Sequence, residues 1–256
     1  MPPPPAPPPS GEASLAWLDR FHAFGTVHVV VVLVAAVLIA GSCMLGRRWR
    51  KHGPAWGEPM LRGVWVGFTI GWQGFATLWY LVHWDLQDSL PLHVCDLAGW
   101  IAPLALWTQR RWLRALLYFW AIALSTQAFA TPVVQDGVGR LQFWLFWIGH
   151  LQIVGSAIYD AAVLGFRPRF RDFLFAAVTL GAYGVVMLGF DLAFGTNYGY
   201  VGRSNPSAPT IIDHLGPWPG RVFLLYGLAL IAMALTWVVW PLCARMAGAP
   251  RRGGVS

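Results

Sequence analysis

The sequence predicts an all-α, polytopic membrane protein of about seven transmembrane helices, with the N-terminus outside and the C-terminus inside. Three observations predict it. The 256-residue chain is 57% hydrophobic and only 11% charged, where soluble domains carry about 25% charged residues. It holds 16 Trp and 15 Phe, a load that suits lipid contact and interfacial belts. Its arginines sit in short clusters between long apolar runs, which reads as membrane topology.

The elements follow in chain order. Residues 1–20, opening "MPPPPAPPPS", form a proline-rich segment expected to be disordered. It has no basic region before an apolar run, so it is not a signal peptide. Seven apolar spans follow near 25–45, 61–82, 91–108, 113–131, 142–165, 172–194 and 220–243. The third is the shortest; Pro91 opens it and Pro103 lies inside it, so a kink is expected. Residues 21–245 thus make a single transmembrane helical domain, and 246–256 a basic cytoplasmic tail. No internal repeat is visible.

Orientation follows from charge. Of the 18 Lys and Arg, 14 fall after spans one, three, five and seven, and four (Arg20, Arg140, Arg203, Arg221) on the other side. Positive residues stay cytoplasmic. The net charge of +7 is therefore topological, and nucleic-acid binding is excluded. Six of seven histidines, all except His52, then fall in the outer half or outer loops.

Two stretches carry possible chemistry. In "LPLHVCDLAGW", Cys95 lies about 6 Å below the outer end of the third span at the helical rise. His150, in "FWLFWIGHLQIVGSAIYD", lies about 12 Å into the fifth. An ionisable group inside a span is a functional candidate because its burial is costly. A thiol attacks only as thiolate, and a nearby imidazole is the usual proton acceptor. His93 is a poorer partner for Cys95, since residues two apart point to opposite sides of a helix. His93, Cys95 and Asp96 likewise do not share a face on which to ligate a metal. Asp96 reads as a helix-start carboxylate or as an orienting group for a histidine. The three cysteines, Cys43, Cys95 and Cys243, are an odd number at wide spacing, which disfavours a disulfide framework. Cys43 and Cys243 read as core residues.

The second stretch is the outer loop "GTNYGYVGRSNPSAPTIIDHLGPWPG", long for a mere connection. Four prolines stiffen it, and Asn197, Tyr198, Tyr200, Asp213 and His214 give it polar reach. It reads either as a lid or as a rigid connector.

The run "LPLHVCDLA", a later span with a histidine, and "GTNYGYVG…S…IIDHLGPWP" together resemble the YwaF family of bacterial integral membrane proteins. That family is similar to the eukaryotic transmembrane protein 164 family. The resemblance runs roughly from His28 to the seventh span. It implies a membrane domain of seven helices, six by some counts. The eukaryotic branch is regarded as a phospholipid acyltransferase with a cysteine nucleophile and a histidine partner; by position these fall on Cys95 and His150. Asp96 departs from the eukaryotic pattern, which leaves the substrate open.

The expectation is a Cys–His acyltransferase or acyl hydrolase acting on phospholipid acyl chains at the outer leaflet of a bacterial cytoplasmic membrane. Cys95 and His150 would be catalytic. Asn197, Tyr198, Gln127, Asp96, Asp213, His93 and His28 would contact substrate. The partners are membrane lipids, and no cofactor or metal is expected. The cavity should open between spans three and five or their neighbours, roofed by the loop from Gly195 to Gly220, with residues such as Phe146, Trp147, Leu104 and Phe119 as its apolar wall. The alternative is a non-enzymatic transporter or binding protein with a polar outer cavity.

Overall fold

The structure, a computed structural model, describes residues 18–203 and 211–248. The rest of the proline-rich segment and the end of the basic tail lie outside the described residues. Leu18 to Arg20, expected in the N-terminal tail, belong to the folded part. Gly139 N–H donates to Leu18 O, Gly137 N–H to Asp19 O and Phe21 N–H to Gln135 O at 2.7–3.0 Å. Arg20 and Asp136 form an isolated antiparallel bridge.

Seven helices correspond to the seven apolar runs: α1 (Thr26–His52), α2 (Gly57–Val82), α3 (Val94–Thr108), α4 (Arg111–Tyr118), α5 (Leu141–Ala162), α6 (Phe170–Phe194) and α7 (Gly220–Gly248). Four of them, α1, α5, α6 and α7, are long and apolar enough to cross a membrane. A 27-residue helix such as α1 is about 40 Å long at the helical rise, against a hydrocarbon core of about 30 Å. Val30, Val34, Val37 and Leu38 on α1 and Val178, Val185 and Val186 on α6 are more than half exposed. A protein in water would not leave such rows uncovered. The chain is a multi-pass membrane protein.

α3 and α4 are inner elements. Ala98, Ala102 and Ala105 on α3 are fully buried, and small residues let helix backbones approach closely in lipid. Gly99 completes this face. A Cβ there would lie 2.3 Å from Gln73 Oε1. Gln152 Nε2 donates to that same oxygen at 3.0 Å, so the space Gly99 leaves is filled by a buried amide pair. Gly99→Val should force the pair apart and lower stability by about 1–3 kcal/mol, the usual cost of overpacking; an unchanged thermal unfolding temperature in detergent would refute this.

α3 starts at Val94 rather than at Pro91, because the Asp96 carboxylate accepts the His93 N–H at 3.1 Å and so fixes the first turn. Pro103 is accommodated within α3, which continues to Thr108. α4 departs most from a simple span. After eight residues it widens into a π-helical stretch, Phe119–Ser125, then a 3₁₀ turn, Thr126–Phe129. Ser125 Oγ donates to Trp120 O and Thr126 Oγ1 to Ala121 O, each five residues back. The Ala121 carbonyl also accepts the Thr126 N–H, so the hydroxyl adds a second bond at the end of the wider turn. α4 and this extension supply much of the main core, including Leu117, Phe119 and Trp120.

The arginine-rich end of the bundle is tied by ion pairs. Arg114 on α4 meets Asp160 on α5 through Nε at 3.0 and 2.9 Å. Arg111 meets Asp172, at the start of α6, through Nε at 3.0 Å. Arg62 meets Glu58 at 3.5 Å.

Candidate functional site

At the end opposite the arginines, the helices separate around a cavity of about 1490 Å³. Helical periodicity sets its walls. Trp72, Gln73, Ala76, Thr77 and Tyr80 recur at three- and four-residue spacing on α2, and Leu145, Phe146, Gly149, His150 and Ile153 on α5. The first turn of α3 contributes Val94, Cys95 and Asp96. Cys95 and His150, about two helices apart in sequence, therefore line one cavity.

The imidazole of His150 is oriented. Its Nδ1 lies 2.8 Å from Phe146 O. A carbonyl only accepts, so Nδ1 carries the proton and Nε2 holds the free lone pair. The backbone of α5 thus does for this histidine what a carboxylate does in many catalytic sites. His93 has the opposite tautomer. Its Nδ1 accepts the Gly199 N–H at 3.3 Å, so Nε2 bears the hydrogen. The His93 ring also lies against Tyr198 and Tyr200, at 5.1 and 5.5 Å between centroids.

The loop after α6, described over 195–203 and 211–219, folds over this end. Gly199 has φ +64° and its Cα is tight on Tyr183, where a Cβ would come 2.5 Å from the hydroxyl oxygen. Tyr183 in turn donates to Leu92 O at 2.7 Å, which ties α6 to the segment before α3. Tyr200 follows with φ +62°, a left-handed conformation that a bulky residue rarely adopts and that points to a functional constraint. Its side chain lines the cavity. Burial, reinforced by the carboxyl groups of Asp88 and Asp96, pushes its phenol well above the usual range, so it remains a neutral hydrogen-bond donor. The sequence marks Tyr200 only as one polar loop residue among several; its backbone strain is the signal that singles it out, and that is visible only in the fold.

Other expected contacts lie elsewhere. Tyr198 is fully buried; its hydroxyl accepts the Leu90 N–H at 3.0 Å and donates to Leu86 O at 2.8 Å. It braces the loop and is not a cavity residue. Asn197 is likewise absent from the cavity wall, and its buried Oδ1 has no partner. His28 accepts the Phe24 N–H through Nδ1 at 2.8 Å and donates from Nε2 to Phe129 O at 2.9 Å. Both nitrogens are used, and it sits among Phe21, Phe24 and Trp147 as a structural histidine. Gln127, His93 and Asp96 do line the cavity. The side chain of Asp213 lies outside the described residues. Among the described residues, no three His, Cys, Asp or Glu side chains converge on a possible ion.

Phe146 is in the apolar wall as expected, with Leu124, Leu145, Ile153, Leu180 and Leu188. The other three expected wall residues are not. Trp147 packs on Phe21 and Phe143, Phe119 is fully buried in the main core, and Leu104 is 51% exposed. The wall meets the outside at Val185 on α6 and Phe223 on α7, which are 73% and 78% exposed, so its lateral edge lies by these helices. Loop residues Tyr200, Val201, Ile212 and Leu215 close part of the top. Beneath Gln73, Ile153 and Ala232 the bundle is solid, with Thr69, Ala157 and Met233 all essentially inaccessible. Cys43 lies outside the cavity, buried among Ile39, Val66, Tyr159 and Val163.

Fold and site define a class: a helical multi-pass membrane protein with a thiol and an oriented imidazole on the wall of a largely apolar, one-ended cavity. The sequence model of the TMEM164 family matches residues 23–237, and the chain belongs to that family. No curated protein and no solved structure matches it.

Proposed function

We propose that the chain is a cysteine-dependent phospholipid acyltransferase or acyl hydrolase of the bacterial YwaF branch. It would cross the cytoplasmic membrane seven times and work on the outer leaflet. The observation that carries this reading is the shared cavity of Cys95 and His150, with Nε2 of His150 left basic by the Phe146 carbonyl. Cys95 Sγ attacks the carbonyl carbon of a phospholipid ester as His150 Nε2 accepts the thiol proton. The ester C–O bond breaks, the lysophospholipid oxygen takes the proton from His150, and the acyl group remains on sulfur as a thioester. A second hydroxyl, or water, then gives its proton to Nε2 and attacks the thioester, which restores the thiol.

The developing oxyanion needs donors. Tyr200 Oη and His93 Nε2–H, both from the cavity wall, are the best placed by chemistry, and Gln127 is a third. Tyr200→Phe should lower turnover by about 10²-fold, the scale of one lost oxyanion donor, with little change in unfolding temperature. Turnover equal to the parent would remove Tyr200 from this role.

Chemistry favours this reading over solute transport. Polar side chains continue below the Gln73–Gln152 pair as Thr69, Ser156 and the Arg114–Asp160 ion pair, but all of them except Arg114 are essentially inaccessible. A transporter needs an open path through the full depth, and the cavity ends at this level.

The deciding experiment is thioester trapping. The full chain in nanodiscs is incubated with phospholipid and quenched in acid, and intact mass is read. An adduct of one acyl chain, labile to hydroxylamine and absent in Cys95→Ala, is expected. An acyl adduct that survives Cys95→Ala would overturn the assignment. The topology has its own test: a C-terminal reporter should be active only in the cytoplasm, and activity only on the far side would reverse the orientation.

A further inference from the structure

The opposite end of the bundle carries a second, smaller site. A crevice of about 250 Å³ lies between α1, α4, α5 and α7, lined by Arg47, Tyr118, Ile122, Ile158, Arg167 and Trp240 and by the Ala161–Ala162 backbone. Arg47 Nε donates to Ala162 O at 2.9 Å and Arg167 Nη1 to Ala161 O at 2.6 Å. Arg50 Nη1 reaches the next carbonyl, Val163 O. Three guanidinium groups therefore gather on three consecutive carbonyls at the end of α5.

Capping of α5 explains part of this cluster. A helix C-terminus is equivalent to about half a negative charge, however, so about two and a half positive charges are left over. The ion pairs among the described residues use Arg62, Arg111, Arg114 and Arg140; Arg47, Arg50 and Arg167 are in none of them. An arginine has five N–H donors, and the carbonyl bonds occupy only a few. Arg167 is also held in place, its guanidinium 4.2 Å above the Trp240 ring. That ring is fixed by its Nε1, which donates to Tyr118 Oη at 2.8 Å, while Tyr118 Oη donates to Thr236 O at 2.9 Å. The crevice has a cationic rim and, at Ile122 and Ile158, an apolar inner wall.

We infer that this crevice binds the phosphodiester of an anionic phospholipid from the leaflet at the arginine-rich end. The phosphate sits between Arg47 and Arg167, and the acyl chains run past Ile122 and Ile158. The volume equals that of about eight waters, enough for a phosphodiester group. Basic crevices between membrane helices are suited to this chemistry. The inference is independent of the Cys95 reading.

The test uses the full chain in detergent, with phosphatidylglycerol or phosphatidylcholine added and retained lipid counted by native mass spectrometry. Phosphatidylglycerol should be retained over phosphatidylcholine. R47Q/R167Q should weaken its binding by about thirtyfold, given roughly a tenfold or smaller contribution from each arginine. R48Q/R171Q removes two arginines that are exposed like Arg47 and Arg167 but lie outside the crevice; it should leave retention within about twofold, because isolated exposed charges contribute little. Equal losses in the two double variants would overturn the site in favour of diffuse surface charge. Displacement of the lipid by inorganic phosphate at matched concentration would overturn the lipid assignment. If R47Q/R167Q does not fold, Ile158→Trp fills the crevice and keeps both charges; undiminished phosphatidylglycerol binding in that variant would refute the inference.

Discussion

On the proposed reading, Cys95→Ala should lower acyl transfer to a small residual rate, and His150→Gln should lower it by about 10²–10⁴-fold, the range for loss of a positioned general base. The informative variant is the double one. If the thiol and imidazole act as one unit, Cys95→Ala/His150→Gln should be no slower than Cys95→Ala alone, because groups acting in a single step are strongly non-additive. Lysophospholipid release in nanodiscs, measured by mass spectrometry, gives all three rates. Thermal unfolding controls for misfolding. Cys43→Ala, in a separate buried cluster, should retain the parent rate. Independent, multiplicative losses from the two substitutions would sink the pair, even if each alone were severe. His150→Gln is preferred to Ala because it fills the same part of the wall beside Phe146, whose ring lies 4.4 Å from the imidazole.

Asp160→Asn should be the most destabilising single substitution at the arginine-rich end. Asp160 is 1% exposed and receives Arg114 Nε at 3.0 and 2.9 Å. The Arg114 guanidinium also lies 4.9 Å over the Phe166 ring, so it has no simple route to water. Removing one partner of such a pair leaves a buried charge and costs about 3–5 kcal/mol. For a chain of this size that corresponds to a fall of roughly 10 °C in unfolding temperature. Arg114→Met/Asp160→Leu, which removes both charges and keeps volume, should recover most of the loss. An unfolding temperature unchanged by Asp160→Asn would show that Arg114 escapes to solvent.

The contrast between these two ends shows what sequence can and cannot carry. Helices α1, α6 and α7 were legible because lipid imposes length and apolarity, and both are countable. The place of α4 was legible too, but its π-helical turn was not, since hydroxyls such as Ser125 and Thr126 bond backward in ordinary helices as well. Cys95 and His150 stood out as ionisable groups inside apolar runs. Their common cavity depended on packing, including the close approach at Gly99, which no local pattern encodes. Some polar residues at this end of the bundle misled for a specific reason. Tyr198 and His28 have the same chemistry as substrate-binding groups, but both satisfy two backbone partners each. Only three-dimensional accounting separates a side chain that completes the fold from one left to act on something else. Tyr200, one residue from the brace at Gly199, shows the converse.

The solid floor beneath Gln73 and Ile153 has a consequence for kinetics. Whatever enters this cavity must leave at the same end of the bundle, by the side or by the top. If an acyl group stays on sulfur and the acceptor takes the place of the lysophospholipid beside Cys95, initial-rate plots at several donor concentrations should be parallel lines. Donor and acceptor would each compete with the other at high concentration. The relative rates at which acceptor lipid and water attack the acylated state would also set the ratio of transfer to hydrolysis. An acceptor lipid delivered from the side by α6 and α7 would compete there with water entering from the top, and bilayer composition, rather than any residue of the site, would then tip the outcome.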